Sequence, residues 1–269
     1  MDYGICLHSV IPVRVEPSHK SEMITQVLFG ELYRINEKEN DWVKIQLLLD
    51  DYQGWINILQ MSVINEQEFL RLSDAETSIS SDLVQLLTCE NTQSMIPLVI
   101  GSSLPAYDDF RISINKSVYL FDGQVSASTL NGETHGHELI LNIRQQIIED
   151  AKLLLNAPYL WGGRSPFGID CSGFVQIIFK LQGLKLLRDA SQQATQGEII
   201  SLLAEAMPGD LAFFDDADGN ITHVGMLIDA QRIIHCSGHV RIDALDHEGI
   251  YNLNLQKYTH KLRLIKRII

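Results

Sequence analysis

Asp170-Cys171-Ser172-Gly173-Phe174, continuing as Val175-Gln176-Ile177-Ile178-Phe179-Lys180-Leu181, decides how this chain is read. Phe174, Val175, Ile177, Ile178, Phe179 and Leu181 leave little polar surface on a helix drawn through them, so the helix belongs in an interior. A Gly/Pro-rich run, Pro158-Tyr159-Leu160-Trp161-Gly162-Gly163, precedes it. Cys171 therefore falls in the first turn of a buried helix, where orphan N–H groups and the helix dipole favour an anion. That placement predicts a lowered thiol pKa and an accessible thiolate nucleophile. A lone cysteine is more often an inert core thiol, but the histidines further on weigh against that for Cys171.

Composition bounds the rest. The 269 residues are 45% hydrophobic, enough for a sizeable core and more than one domain. A net charge of −13 argues against nucleic acid or an anionic membrane as partner. The longest apolar run, Met95 to Ile100, is about six residues, far short of a membrane span. Met1-Asp2-Tyr3-Gly4-Ile5-Cys6 has no basic region followed by an apolar stretch, so no signal peptide is expected. Cys6, Cys89, Cys171 and Cys236 lack metal spacing and read as reduced thiols. Together these features predict a cytoplasmic protein.

Upstream, residues 1–62 read as short strands. Ser9 to Val15, Met23 to Leu28, Leu32 to Ile35, Trp42 to Ile45 and Gly54 to Ile56 are separated by turn residues at Pro17-Ser18, Gly30-Glu31 and Asp50-Asp51. That spacing predicts a small β-barrel. Residues 63–82 are polar and read as a connector. A second β-rich stretch, with Ser94 to Ile100 and Ser117 to Phe121, completes residues 63–136. From His137 onward, Ile140, Ile143, Ile147, Ile148, Ala151, Leu154 and Leu155 keep helical spacing. After the Cys171 helix and a short one at Ser191-Gln192-Gln193-Ala194, strands follow at 211–214, 223–228, 232–235, 240–243 and 262–265. Helices followed by antiparallel strands predict an α+β arrangement.

His223 and His235 lie on adjacent predicted strands joined by a turn at Asp229-Ala230-Gln231, so one hairpin can bring both to one sheet face. A cysteine at a helix start, a histidine base and a third polar group that orients it form the constellation of cysteine peptidases.

The ordered motifs Pro158–Gly163, Asp170–Phe174, Pro208-Gly209-Asp210-Leu211 with Phe213-Phe214, Thr222-His223-Val224-Gly225-Met226 and Ile234-His235 resemble the NlpC family of papain-like peptidoglycan peptidases. Gly30-Glu31, Asp41–Ile45 and Tyr52–Ile56 resemble a bacterial SH3-like domain. The resemblance implies a papain-like α+β peptidase domain over 137–269, preceded by an SH3-like domain over 1–62 and a degenerate second one over 63–136. It implies Cys171 as nucleophile, His223 as general base and acid, and His235 as the orienting third member. Tyr159 and the Cys171 N–H would face the oxyanion. No cofactor or metal is implied. The pairing with SH3-like domains is similar to γ-D-glutamyl-L-diamino acid endopeptidases acting on muropeptides with a free N-terminal L-Ala, with the first SH3-like domain narrowing the cleft. A buried ammonium needs acidic and hydroxyl partners. Asp170, Ser172 and Ser191 are the candidates near the nucleophile, Tyr52 and Glu16 those from the first barrel, and Trp161 a wall of the pocket. The expected protein is a monomer whose partner is the muropeptide. A secreted hydrolase of intact wall, a transferase and an inactive wall-binding scaffold are the alternatives.

Other features read more plainly. His135-Gly136-His137 is a linker rather than a metal pair, lacking a third ligand. Asp215 to Asn220 is a hairpin turn rather than a calcium loop. Cys236, next to His235 on a strand, points away from it and is a core thiol. His260 and the remaining histidines are surface or hydrogen-bonded residues. Trp42 and Trp55 belong to the barrel core.

Overall fold

The computed structural model describes residues 2–126 and 137–269 and resolves into two compact units, 1–129 with 161–166 and 130–160 with 167–269. In the first unit, alternation such as that of Val10-Ile11-Pro12-Val13-Arg14, buried at every second position, builds strands. These are β1 (Asp2–Ile5), β2 (Val10–Arg14), β3 (Met23–Leu28), β4 (Leu32–Glu39), β5 (Trp42–Leu47), β6 (Gln53–Asn57) and β7 (Val63–Ile64). They form one antiparallel sheet in the order β3-β2-β6-β5-β4-β1-β7. Trp42 and Trp55 are buried, as expected.

The stretch expected to be a plain connector contains a helix, α1 (Glu66–Asp74). Asn65 caps it by accepting from the Glu68 N–H at 2.8 Å, and Phe69 and Leu72, three residues apart, supply its buried face. A cap and two apolar residues suffice because the helix docks on an existing core rather than standing alone. Then come β8 (Thr77–Ser80), β9 (Val84–Cys89), β10 (Met95–Val99), β11 (Ser103–Pro105), β12 (Arg111–Ile114), β13 (Ser117–Leu120) and β14 (Val125–Ser126), in two sheets, β10-β9-β13-β12 and β11-β8-β14. Ile5, Phe29 and Leu32 share one core cluster with Phe69, Leu87, Leu98 and Phe121, so the two β regions are packed as one body. Gly30, at φ +76°, turns β3 into β4 where a Cβ would collide with the Ser103 carbonyl, so only glycine fits.

Residues Trp161–Pro166 also belong to this unit. Arg164, fully buried, donates to both carboxylate oxygens of Glu31 at 2.9 Å and to the Gln26 carbonyl. Such a fork-to-fork pair is the geometry in which a buried guanidinium is tolerated.

The second unit holds α2 (His137–Leu153), the buried α3 (Cys171–Leu181), α4 (Ala190–Gln193) and seven strands. Here β15 (Arg164–Ser165, part of the first unit) and β16 (Gly168–Ile169) precede α3. After α4 come β17 (Glu198–Ile200), β18 (Leu211–Asp215), β19 (Ile221–Asp229), β20 (Arg232–Ser237), β21 (His239–Leu245), β22 (Gly249–Asn252) and β23 (Lys257–Arg267). The strand order is β17-β23-β18-β19-β20-β21-β22, and a further pairing of β22 with β23 closes six of the strands into a ring. All eleven residues of α3 are buried, as its all-round apolar sequence requires, and it packs on α2, β19 and β20. Asp210, in the Pro208–Leu211 motif, is a strut: fully buried, it accepts from Arg144 at 3.0 Å and from Arg267 at 2.7 Å. Among the described residues no helix is long and apolar enough to cross a membrane.

Candidate active site

The backbone before α3 places the nucleophile. Tyr159 N–H donates to the Gly238 carbonyl, Leu160 N–H to the Ile169 carbonyl and Ile169 N–H to the Pro158 carbonyl, which forms a short parallel bridge of Tyr159 with Ile169. This ladder delivers Asp170 to the N-cap of α3, where its Oδ1 accepts the Gly173 N–H at 2.7 Å. Cys171 follows as the first helical residue, only 6% exposed, and its sulfur is reached by the backbone N–H groups of Ser172 and Val224, the latter adjacent to His223. Helix and hairpin thus converge on one point.

On the sheet, the β19–β20 register pairs Gly225 with His235, and His223 lies two residues before Gly225, on the same face. His223 Nε2 and His235 Nδ1 are 2.9 Å apart, and His235 Nε2 is 3.0 Å from Asp243 Oδ2. Asp243 also accepts from Arg241 at 2.8 Å. Burial works against the Asp243 carboxylate, but the bonds from His235 and Arg241 outweigh it and hold the group below its usual range. Burial pushes His235 down despite Asp243, and burial with the neighbouring His235 and His260 pushes His223 well below its ordinary value.

Proton positions follow from these bonds. A carboxylate only accepts, so His235 carries its proton on Nε2. Being neutral, His235 offers a lone pair at Nδ1, which accepts the Nε2–H of His223. The other nitrogen of His223, Nδ1, is left bare and able to take a proton. Asp243 therefore sets the tautomer of the base through an intervening imidazole.

The expected low thiol pKa is corrected. Burial, then the Asp170 carboxylate, pushes Cys171 up to about 12, against the Val224 N–H, the Arg188 guanidinium and the Ser172 N–H. Both shifts, raised for the thiol and lowered for the imidazole, favour a neutral thiol beside a neutral imidazole, with the thiolate forming as attack proceeds. Because a depressed His223 loses its base function only when protonated, kcat/KM should fall on the acid side with a midpoint below pH 6.5 and stay level from there to neutrality. A pH profile with its acid limb centred above pH 7 would contradict a neutral resting pair.

Other assigned residues fall as follows. Burial, then the neighbouring Cys171 and Asp170, raises the Tyr159 phenol, which places that ring beside the nucleophile. Asp170 receives two bonds from Arg188, one to each carboxylate oxygen, and Arg188 Nη1 also donates to Ser172 Oγ at 2.9 Å. The carboxylate and hydroxyl expected to meet an ammonium are thus engaged with a buried guanidinium. Ser191 is exposed on α4, which Gln193 ties to α3 through its 3.0 Å bond to the Ser172 carbonyl. Trp161, Tyr52 and Glu16 belong to the first unit. Trp161 is 59% exposed and donates its indole N–H to Glu22 at 2.6 Å, the Tyr52 ring packs on the barrel core, and Glu16 is exposed after β2.

Cys236 is a buried thiol donating to the Ile169 carbonyl at 3.2 Å. Asp215 to Asn220 forms the β18–β19 turn, with Asp216 accepting from the Asp218 and Asn220 N–H groups. His135 and Gly136 lie outside the described residues, as does the His137 side chain. No group of three or more His, Cys, Asp or Glu side chains is gathered as metal ligands among the described residues.

Three contributors escaped the sequence reading. Arg188, after Leu186-Leu187 and between Lys185 and Asp189, offered only a weak signal. Asp243 had none, since its alignment depends on β20–β21 register, in which Ile233 faces Asp243. His260, expected to be a surface or hydrogen-bonded residue, is half-buried and hydrogen-bonded to Thr259 at 2.9 Å, and what the sequence did not show is its ring stacked on His223 at 4.2 Å and 27°.

A papain-like site of this make-up, with a helix-borne thiol facing an imidazole chain on a curled sheet, defines a cysteine peptidase. The chain carries an NlpC/P60 domain, matched to the NlpC/P60 family over residues 156–260, and a bacterial SH3 domain, matched to the bacterial dipeptidyl-peptidase Sh3 domain over residues 13–59. It is 29% identical over 256 residues to a gamma-D-glutamyl-L-lysine dipeptidyl-peptidase of Bacillus subtilis, covering 86% of this chain and 74% of that protein. A dipeptidyl-peptidase 6 of Lysinibacillus sphaericus is 26% identical, with 87% and 88% covered. The fold is shared with the crystal structure of an NlpC/P60 family protein from Bacillus cereus, at a TM-score of 0.80, 22% identity and 99% coverage of both chains.

Proposed function

We propose that this protein is a peptidoglycan hydrolase that cuts the γ-D-glutamyl bond to an L-diamino acid, L-Lys or diaminopimelate, in muropeptides with a free N-terminal L-Ala, releasing L-Ala-D-Glu. Its place is the cytoplasm, in murein recycling, and it works as a monomer without a cofactor. Residues 63–136 are read as a connector and a second, degenerate SH3-like domain. The observation that carries the reading is the thiol and imidazole chain of Cys171, His223, His235 and Asp243 in a chain similar over most of its length to dipeptidyl-peptidases.

The chemistry divides into two transfers. Cys171 Sγ attacks the γ-carbonyl while His223 Nδ1 takes the thiol proton, giving a tetrahedral oxyanion beside Tyr159. His223 returns that proton to the leaving α-amine, the C–N bond breaks, and a thioester to the γ-carboxyl of D-Glu remains. Water then gives its proton to His223 and its oxygen to the thioester carbon, and the thiolate leaves and is reprotonated.

The free tripeptide L-Ala-γ-D-Glu-L-Lys should release L-Ala-D-Glu, whereas its N-acetyl form should resist by at least about 100-fold, since a site built for an ammonium leaves its polar groups unpaired with the blocked peptide. Mass spectrometry of the products decides. Equal cleavage of both forms, or of intact wall, would point instead to a secreted wall hydrolase.

A further inference from the structure

His260 is a titratable ring at the catalytic centre that the two proton transfers leave unused. It sits on β23, and its ring lies nearly parallel to that of His223, with centroids 4.2 Å apart and 27° between the planes. His235 meets both rings edge-on, at 5.1 Å from His223 and 5.7 Å from His260. Phe214 on β18 flanks the stacked pair, 5.7 Å from His223 and 5.9 Å from His260. Register explains the gathering: Phe214 stands opposite His223 on one side and Leu262 on the other, and His260 lies two residues before Leu262.

The 2.9 Å bond from His223 Nε2 to His235 Nδ1 fixes one corner of the His223 ring. A single bond leaves the plane free to tilt, because the outer torsion of a histidine has broad wells. The parallel face of His260 removes that freedom, since stacked rings hold a relative orientation as well as burying area. His260 is itself held, with Nδ1 2.9 Å from Thr259 Oγ1 and that hydroxyl 3.4 Å from the Ile250 carbonyl. Burial, then His235, lowers its pKa to about 4 against the pull of Asp243. At neutral pH it is therefore an uncharged ring that does not repel the imidazolium His223 becomes. His260 also lines an open recess of about 750 Å³, whereas His223 is buried at 6% exposure and His235 at 1%. The ring thus stands between the recess and the base, and a hydrogen bond kept from water is the stronger for it.

We propose that His260 is a positioning residue of the catalytic base: stacked on His223, it fixes the plane of that imidazole and screens its bond to His235, which keeps Nε2 protonated and Nδ1 bare. Asp243 sets the tautomer through His235, and His260 sets the plane. His260 exchanges no proton itself; its effect passes through His223. The inference rests on the assignment of His223 as base in the reaction proposed above.

Ring-nitrogen NMR of the full chain, labelled at histidine nitrogen, reads this without substrate. In the wild type and in His260→Phe, which keeps a flat face, His223 should show one tautomer, protonated at Nε2. In His260→Leu, which is apolar but has no flat face, the two tautomers should mix. Kinetics with L-Ala-γ-D-Glu-L-Lys give the second readout. His260→Leu should lower kcat and kcat/KM together by about tenfold to 100-fold, the cost of a misplaced catalytic group, with KM and melting temperature unchanged. His260→Phe should recover most of that loss. A single His223 tautomer in His260→Leu, full activity in that variant, or a phenylalanine variant no better than the leucine one overturns the inference. His223→Ala separates the two levels. If it is inactive while His260→Leu is fully active, only the positioning role falls; if it retains activity, the base assignment falls and the inference with it. A mixed tautomer confined to His260→Leu supports the role even where the peptide is not cleaved, an outcome that would overturn only the proposed substrate.

Discussion

Cys171→Ala should lower hydrolysis by about 10⁴-fold or more, because removing the nucleophile leaves only binding and oxyanion stabilisation, and members of a triad act as one unit. The decisive measurement is single-turnover release of L-Ala-D-Glu, with melting temperature as a control. Stability should be nearly unchanged, since the thiol is small and the contacts its sulfur makes are to the Val224 and Ser172 N–H groups. Cys171→Ser is the sharper probe. A hydroxyl in that buried place is a still weaker acid than a thiol already held near 12, so His223 cannot draw its proton readily and activity should stay at the alanine level. Retention of more than a tenth of wild-type activity in the alanine variant would remove covalent catalysis from the account, whatever the other residues do.

The second large effect falls on stability. Arg188→Leu should destabilise the catalytic unit by about 3–5 kcal/mol, the usual result of deleting one partner from a buried ion pair. Asp170 is 5% exposed and faces Arg188 through both carboxylate oxygens, so the substitution takes the cation from a carboxylate that stays buried. Arg188→Lys should recover only part of the loss, because an ammonium cannot span both oxygens and Ser172 Oγ as the guanidinium fork does. Urea unfolding of the three proteins measures the order. Activity should drop alongside in Arg188→Leu, since the same pair clamps the first turn that carries Cys171. A change below about 1 kcal/mol would mean that the pair contributes little, as exposed pairs do.

These effects also bear on the ammonium site. Asp170 and Ser172 are chemically suited to an amine, yet both are engaged with Arg188, so a substrate ammonium at this point would share the carboxylate with a guanidinium. Two cations around one buried carboxylate balance only when further acceptors are present. A charge count of that kind is visible in coordinates and hidden in a motif.

Much of the catalytic core was legible in the chain itself. The Cys171 helix announced its burial through an apolar surface on every side, and its start was marked by Asp170, a residue type that caps helices. Strand periodicity and a short turn showed that one hairpin can bring His223 and His235 to one face, with Cys236 on the other, and the β19–β20 register does so. Those properties are local, carried by a period of about two or 3.6 residues and by single residues with strong backbone preferences. The first barrel was readable for the same reason, its alternating runs interrupted at turns.

Tertiary structure decided what depends on partners distant in sequence. Strand alternation says which residues share a face but not which residue stands opposite, because register is set by turn geometry and by the packed core. Asp243 thus became the anchor of His235, and His260 the ring against His223, only when β21 and β23 took their places. The helix over 66–74 emerged from residues that read as a connector, since its stability comes from the core it docks on. The thiol moved opposite to the expectation from its helix position, because desolvation and the Asp170 charge depend on how completely the surrounding elements close over Cys171. Sequence named the thiol and the two histidines; packing added Asp243, His260 and Arg188 and set the protonation, because register, burial and neighbouring charge are properties of the assembled fold.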